Sequence, residues 1–227
     1  MTIENDLLRE EYEEYRIKCE IALDIVETKI SGIKKLTYFD THHDIYHSFS
    51  KRLKTFESVM EKCERRGYDS TIESIRRNVR DIAGLRLITL YKDEIYDLVR
   101  ILRSVHGFNI DVEKDYVKNR KASGYASYHM TVQVEIQSPV TGGTELIPVE
   151  IQIRTELMNA WAVTEHDIKY KDVKASPEAK ELFKRASESQ DELEDALMKL
   201  RDMKRAEVLE ESDEEPSPKS NSKPHNA

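Results

Sequence analysis

The stretch MTVQVEIQSPVTGGTELIPVEIQIRT, residues 130–155, alternates apolar and polar positions on either side of a glycine pair. Successive strand residues point to opposite faces of a sheet. Met130, Val132, Val134 and Ile136 therefore share one face, and Ile147, Val149, Ile151 and Ile153 share one face after the chain turns at Gly142-Gly143. This predicts a hairpin with a single buried side. The opposite side of its second strand presents Glu150, Gln152 and Arg154 at two-residue spacing, a polar row on what should be a central strand.

Working outward from this hairpin, Leu85 to Leu90 reads as a strand, 93–105 as a helix and 108–116 as another strand. Farther upstream, Leu8, Tyr12, Tyr15, Cys19, Ala22 and Val26 recur every three or four residues and predict an amphipathic helix; a second helix is expected over about 43–66. Downstream, Ser176-Pro177 supplies an N-cap and a first-turn proline. Leu182, Phe183, Ala186, Leu193, Ala196, Leu197, Leu200 and Met203 then continue a long stripe of the kind that packs on another helix. The expected fold class is α+β: a mixed sheet of four or five strands flanked by helices, with helical extensions at both ends. The divisions are an N-terminal helical extension at 1–42, a central domain at 43–171, a C-terminal oligomerisation helix at 172–210 and an acidic tail at 211–227. Three of the six prolines fall in the last twelve residues, inside EESDEEPSPKSNSKPHNA, which predicts disorder from roughly 211.

Composition narrows the function. The 227 residues are 38% hydrophobic and 35% charged, with no apolar run of membrane-spanning length and an acidic N-terminus unlike a secretory signal. A cytoplasmic protein is expected. Cys19 and Cys63 stand far apart without a CxxC neighbour, so they encode neither a disulfide scaffold nor a thiolate zinc site. The net charge of −8 hides a division: residues 51–86 carry ten bases against six acids, while 1–30 carry nine acids against four bases. A positive segment inside an acidic chain is either a solvated helix face or a localised anion site, rather than a DNA-coating surface.

The motifs that are missing restrict the chemistry further. There is no GxxxxGK[ST], no GxGxxG after a strand and no GxSxG. Phosphates, if bound, must be held by Lys and Arg side chains with a metal. His42-His43-Asp44 with His47, and His166-Asp167, contain an HD dipeptide, but the further ligands of a phosphohydrolase site are lacking; His43 and His47 are either a zinc pair one turn apart or solvated histidines. Asp81 and Glu150 are stronger candidates. Two carboxylates at strand ends would hold Mg²⁺ and leave positions for substrate phosphates, or would cap a helix or pair with arginine. The loop from Lys118 to His129 adds three bases, Gly124 and two tyrosines, Tyr125 and Tyr128. It is either a polar hairpin loop or one that stacks a base and grips its phosphates.

Taken together these segments resemble the synthetase domain of the RelA/SpoT family, specifically its small stand-alone alarmone synthetases. The signatures run in the family's order: RxK at 52–54, DIAGLR at 81–86, KDY at 114–116, K-x-x-GY-x-SYH at 121–129, VEIQIRT at 149–155 and MNxWAxxEHxxxYK at 158–171. The resemblance implies a nucleotidyltransferase-like fold and transfer of the β,γ-diphosphate of ATP to the 3′-hydroxyl of GDP or GTP. It implies that Asp81 and Glu150 coordinate Mg²⁺, with Mn²⁺ as a substitute, and that Glu150 deprotonates the acceptor. Arg52 and Arg86 would sandwich adenine; Lys54, Ser58 and Lys62, spaced as one helical stripe, would bind the ATP phosphates. Tyr125 would stack on guanine, Asn159 would read its edge, and Lys114, Lys121 and His129 would face the 5′-phosphates. Gln152, Arg154, Glu165 and His166 would support the site. A homotetramer is implied, with an alarmone or a single-stranded RNA as candidate regulator. Val112 in VEKD and Ala126 in the loop depart from the family pattern, which leaves both GDP and GTP open as acceptors. The alternatives are a toxic relative that pyrophosphorylates the 3′ end of tRNA, and a non-catalytic nucleotide- or RNA-binding oligomer.

Overall fold

The computed structural model describes residues 3–170 and 176–214. In chain order its elements are α1 (Ile3–Thr41), β1 (Ser48–Leu53), α2 (Phe56–Arg66), α3 (Ile72–Asn78), β2 (Ala83–Thr89), α4 (Lys92–Ser104), β3 (Asn109–Asp115), β4 (Tyr128–Gln137), β5 (Thr144–Thr155), α5 (Glu156–Tyr170) and α6 (Pro177–Glu214). The strands form one mixed sheet in the order β1-β2-β5-β4-β3, in which only β2 and β5 run parallel. The hairpin of β4 and β5 turns at a left-handed Gly142 and pairs Met130 with Ile151 and Val132 with Val149, as the alternation requires.

The core lies on one side of this sheet. Leu85, Leu87, Met130, Val132, Val149, Ile151 and Ile153 are all buried there. The helix α1 crosses β5, β2 and β4, and its Leu8, Tyr12, Tyr15, Cys19, Ala22 and Val26 are each buried, so the three-to-four-residue spacing is used against the chain's own sheet. Ile95, Leu98 and Leu102 of α4 join the same cluster. Cys19 and Cys63 are free thiols within it.

The expected helix over 43–66 is corrected by the structure. The chain leaves α1 at His42, whose φ is 55°, and residues 48–53 form the edge strand β1, antiparallel to β2. Its segment SFSKRL is exposed at nearly every position, so no buried face imposes a readable alternation, and β2, far off in sequence, supplies its ladder. Helix α2 begins only at Phe56, capped by Thr55, whose hydroxyl accepts from the Ser58 N–H at 3.3 Å. Lys54 therefore precedes the helix that carries Ser58 and Lys62.

At the other end Ser176 caps α6 as its sequence predicts, its hydroxyl accepting from the Ala179 N–H at 3.1 Å. The helix runs to Glu214, past the expected start of the tail, and residues 215–227 lie outside the described part. The face it turns inward is polar: Ser187 and Glu194 are buried, whereas Leu182, Leu193, Leu197, Leu200 and Met203 are exposed. No helix among the described residues is long and apolar enough to cross a membrane.

Ile151 is fully buried between Leu85 and Met130 of the neighbouring strands. Ile151→Ala should lower the free energy of unfolding by about 3 kcal/mol, the usual cost of such a truncation with its cavity. Urea unfolding followed by circular dichroism measures it, and a loss below about 1 kcal/mol would contradict this packing.

Candidate active site

The sheet face opposite the core gathers the polar rows. In register, Arg52 of β1 lies opposite Gly84 and Gly84 opposite Glu150; one rung on, Arg86 lies opposite Gln152, Gln152 opposite His129 and His129 opposite Lys114. The two-residue pleat that buries Val149, Ile151 and Ile153 forces Glu150, Gln152 and Arg154 onto this face. Two cavities open on it. One of about 240 Å³ is lined by Arg52, Asp81, Gly84, Arg86, Glu150 and Gln152. The other, about 700 Å³, shares Arg52, Arg86 and Gln152 and adds Arg65, Lys121, Tyr125, Arg154, Glu165 and His166.

The carboxylates of the first cavity are neutralised in different ways. Asp81 accepts from Lys54 Nζ at 2.8 Å and from Lys62 Nζ at 2.7 Å. Burial alone would raise its pKa, but the two ammonium groups outweigh burial and hold it at about 2. The correction of the 43–66 helix thus brings Lys54 and Lys62 together on one carboxylate from a strand end and a helix. Glu150 is also pushed up by burial and by the Asp81 charge, yet its pKa lies below the ordinary value because His129 and Gln152 bond it. Gln152 Nε2 donates to Glu150 at 2.6 Å, and His129 Nδ1 lies 3.1 Å from the other oxygen.

His129 is the centre of a closed chain of hydrogen bonds. Tyr125 Oη lies 2.9 Å from His129 Nε2 and accepts from Arg154 Nη2 at 2.5 Å, and the same guanidinium donates to Gln152 Oε1 at 2.8 Å. With Glu150 ionised, Nδ1 is the donor in the bond to its carboxylate. Arg154 is only 4% exposed and stands over the Tyr125 ring at 4.9 Å, and Lys121 sits 4.6 Å from the Tyr125 and Tyr116 rings. Arg86 donates to Asn159 Oδ1 of α5 at 3.3 Å, and its buried Nε lacks a hydrogen-bond partner.

The other expected residues are placed less centrally. Ser58 is exposed at the first turn of α2, its hydroxyl accepting from Thr55 at 3.2 Å, and Lys114 is exposed on β3 beside His129. Glu165 is buried and His166 lines the larger cavity with it. Lys171, at the end of the sixth signature, lies outside the described residues. Two residues receive no role of their own in the sequence reasoning: Arg65, one of the ten bases of 51–86 and one turn beyond Lys62, and Tyr116 of the KDY signature, whose ring packs edge-on against Tyr125 and His129. Helical spacing from Lys62 was a signal for the first. The histidine pair divides: His43 faces Glu94 at 3.3 Å and His47 faces Glu156 at 3.9 Å.

Asp81 is about one-fifth exposed, so its ion pairs are little screened. Its folded pKa is depressed from 3.8 to about 2, so its contribution to stability is present above the unfolded value and lost as pH falls through the folded one. The stability advantage of wild type over Asp81→Asn should shrink by roughly 2 kcal/mol from about pH 5 to about pH 2. Denaturant melts of both proteins across that range measure it; a constant difference would remove the lysine pairs as the cause.

Residues 51–175 match the family model described as the region found in RelA / SpoT proteins. The chain is 32% identical over 193 residues to the GTP pyrophosphokinase YjbM of Bacillus subtilis, covering 84% of this chain and 89% of that protein. It is 36% identical over 151 residues to the GTP pyrophosphokinase YwaC of the same organism, with 66% and 70% covered. In three dimensions it superposes on the crystal structure of the small alarmone synthetase 1 from Bacillus subtilis bound to its product pppGpp, with a TM-score of 0.75 and 30% identity over 85% of this chain and 97% of that one. With the polar sheet face, the paired carboxylates and these likenesses in hand, the chain belongs to the RelA/SpoT family and groups there with the small alarmone synthetases.

Proposed function

We propose that this protein transfers the β,γ-diphosphate of ATP to the ribose 3′-hydroxyl of GDP or GTP, releasing AMP and forming guanosine tetra- or pentaphosphate as a stringent-response signal. The observation that carries it is the placing of Asp81 and Glu150 in one cavity whose arginine wall, Arg52 and Arg86, continues into a second cavity lined by Tyr125, Lys121 and Arg154. That supplies two nucleotide compartments with carboxylates at the first.

In this mechanism Arg52 and Arg86 stack on adenine through their planar guanidiniums, and Lys54 and Lys62 bind the ATP phosphates beside the Asp81 they neutralise, with Ser58 adding a hydroxyl. Tyr125 stacks on guanine, Asn159 reads its edge, and Lys114, Lys121 and His129 face the 5′-phosphates. Glu150 accepts the proton of the 3′-hydroxyl as that oxygen bonds to the β-phosphorus of ATP; the bond from that phosphorus to the α,β-bridging oxygen breaks and its electrons leave with AMP. Gln152 and Arg154 hold Glu150 and Tyr125 in place, with Glu165 and His166 behind them.

The donor set suits a hard divalent cation. Among the described residues no group of three or more His, Cys, Asp or Glu side chains forms a metal site, and two carboxylates in one cavity leave coordination for phosphate oxygens. Asp81 and Glu150 would hold Mg²⁺ or Mn²⁺, which when bound supplies neutralisation of the charge on the transferring phosphoryl oxygens. A cytoplasmic location accords with the two free thiols. A homotetramer is supported by the leucine stripe that α6 leaves uncovered, whereas the α1 stripe is already spent on the chain's own sheet.

The direct test separates products after incubation with β-labelled ATP and each acceptor. Wild type should label GDP and GTP, and Glu150→Gln should nearly abolish transfer. Tyr125→Ala should raise the Michaelis constant for the guanine nucleotide about five- to a hundredfold with little change for ATP, and Arg52→Ala should do the reverse. Label on tRNA with free guanine nucleotides unreacted would overturn the proposal. Multi-angle light scattering at micromolar concentration should report an oligomer, and Leu193→Glu with Leu200→Glu should shift it toward monomer; a monomeric wild type would refute the assembly.

A further inference from the structure

The loop between β3 and β4 carries three bases, of which Lys121 lines the larger cavity, and the structure uses them differently. Lys118 stands over the Tyr96 ring at 4.8 Å and Lys121 over Tyr116 and Tyr125. Arg120 turns away from the cavity. Its Nη1 donates to the Gly124 carbonyl at 3.2 Å and to Ser187 Oγ at 2.8 Å, and its Nη2 donates to Asp191 Oδ1 at 2.6 Å. One guanidinium thus joins both ends of the tight turn that presents Lys121 and Tyr125 to two successive turns of α6.

The backbone fits that purpose. The turn is closed by the Gly124 N–H to the Lys121 carbonyl at 2.8 Å and the Lys121 N–H to the Tyr125 carbonyl at 3.2 Å. Gly124 has φ +82°, and a Cβ there would lie 2.6 Å from the Ser187 Cβ and 3.2 Å from Trp161 Cζ2. Only glycine lets the turn sit this close to α6. The rest of the seam is polar: Lys92 reaches Asp191 at 2.7 Å and Asp195 at 2.9 Å, and Arg201 forks onto Asp93 at 2.8 and 2.7 Å. Both amide atoms of Gln190 and the Trp161 Nε1 are buried without hydrogen-bond partners, and the Trp161 ring packs edge-on against Phe183 of α6.

We infer that Arg120 is a positioning residue that straps the acceptor loop to α6, so that acceptor affinity is set through α6 and not by contact of Arg120 with phosphate. This rests on the proposed acceptor role of Tyr125 and Lys121. Asp191 discriminates the two roles of Arg120. A phosphate ligand would be freed by losing its carboxylate partner, and acceptor binding would hold or improve; a strap would fail from either end.

Arg120→Ala and Asp191→Ala should each raise the Michaelis constant for GDP or GTP about tenfold, as loss of a charge-assisted hydrogen bond does, with that for ATP within about twofold of wild type. The double variant should be no worse than the poorer single one, and Asp195→Ala, which loses only a Lys92 contact, should match wild type. Trp161 is the sole tryptophan and lies between Gly124 and the Phe183 ring of α6, 5.7 Å away, so its emission reports docking without any turnover. It should shift to the red in both strap variants, with the far-ultraviolet circular dichroism unchanged. An acceptor constant at or below wild type in Asp191→Ala, an equal effect in Asp195→Ala, or unshifted emission in both strap variants would overturn the strap. Red-shifted variants of a protein that forms no alarmone would instead sink the proposed function and leave the strap standing.

Discussion

The two-residue pleat of β5 is the constraint on which the rest depends. Val149, Ile151 and Ile153 are fully buried, and the same geometry holds Glu150, Gln152 and Arg154 on the opposite face. A register slip of one residue would drive a carboxylate and a guanidinium into the α1 core and expose three branched side chains, so core and site select the same pairing. Stability and chemistry are therefore not separable on this strand. The polar side chains that cannot enter the apolar core are the ones that line the cavities.

Once the rows are fixed, electrostatics decides their state. The face collects Arg52, Arg86 and Arg154, and burial together with the neighbouring guanidiniums lowers the pKa of Arg86. Such a concentration of positive charge is costly without anions, and Asp81 and Glu150 are the internal ones. Asp81 is held ionised by two lysines, whereas Glu150 is held by an imidazole and an amide. A carboxylate with one uncharged amide among its partners retains more basicity than one held by two ammonium groups. That difference suits Glu150, and not Asp81, to take a proton.

Much of this was legible in the sequence where one face is buried and the other is not. The β4–β5 hairpin and the α1 stripe follow from local periodicity, the Ser176 cap from the serine-proline pair, and the place of Glu150 from the hairpin. β1 was not legible, because an exposed edge strand has no buried face to write an alternation, and its partner β2 is more than thirty residues away. The placing of Lys54 depended on that strand. The motif implies a phosphate contact for His129, and the structure bonds it to Glu150 and Tyr125, a cross-strand relation that spacing alone does not encode.

The same limit explains α6. Its leucines mark an amphipathic helix correctly, but periodicity names the apolar face and not its partner. Here the chain buries Ser187 and Glu194 instead, because the surface they meet is made of Arg120, Lys92 and the Thr155 hydroxyl, which demand acceptors. A helix whose polar face is spent on its own domain must offer its apolar face elsewhere. Contacts that bury the leucines would also hold Ser187 and Asp191 in place, and so would bear on the loop that carries Tyr125. A count of bases along the chain does not separate Lys121, which lines the cavity, from Arg120, which turns to α6; their directions do.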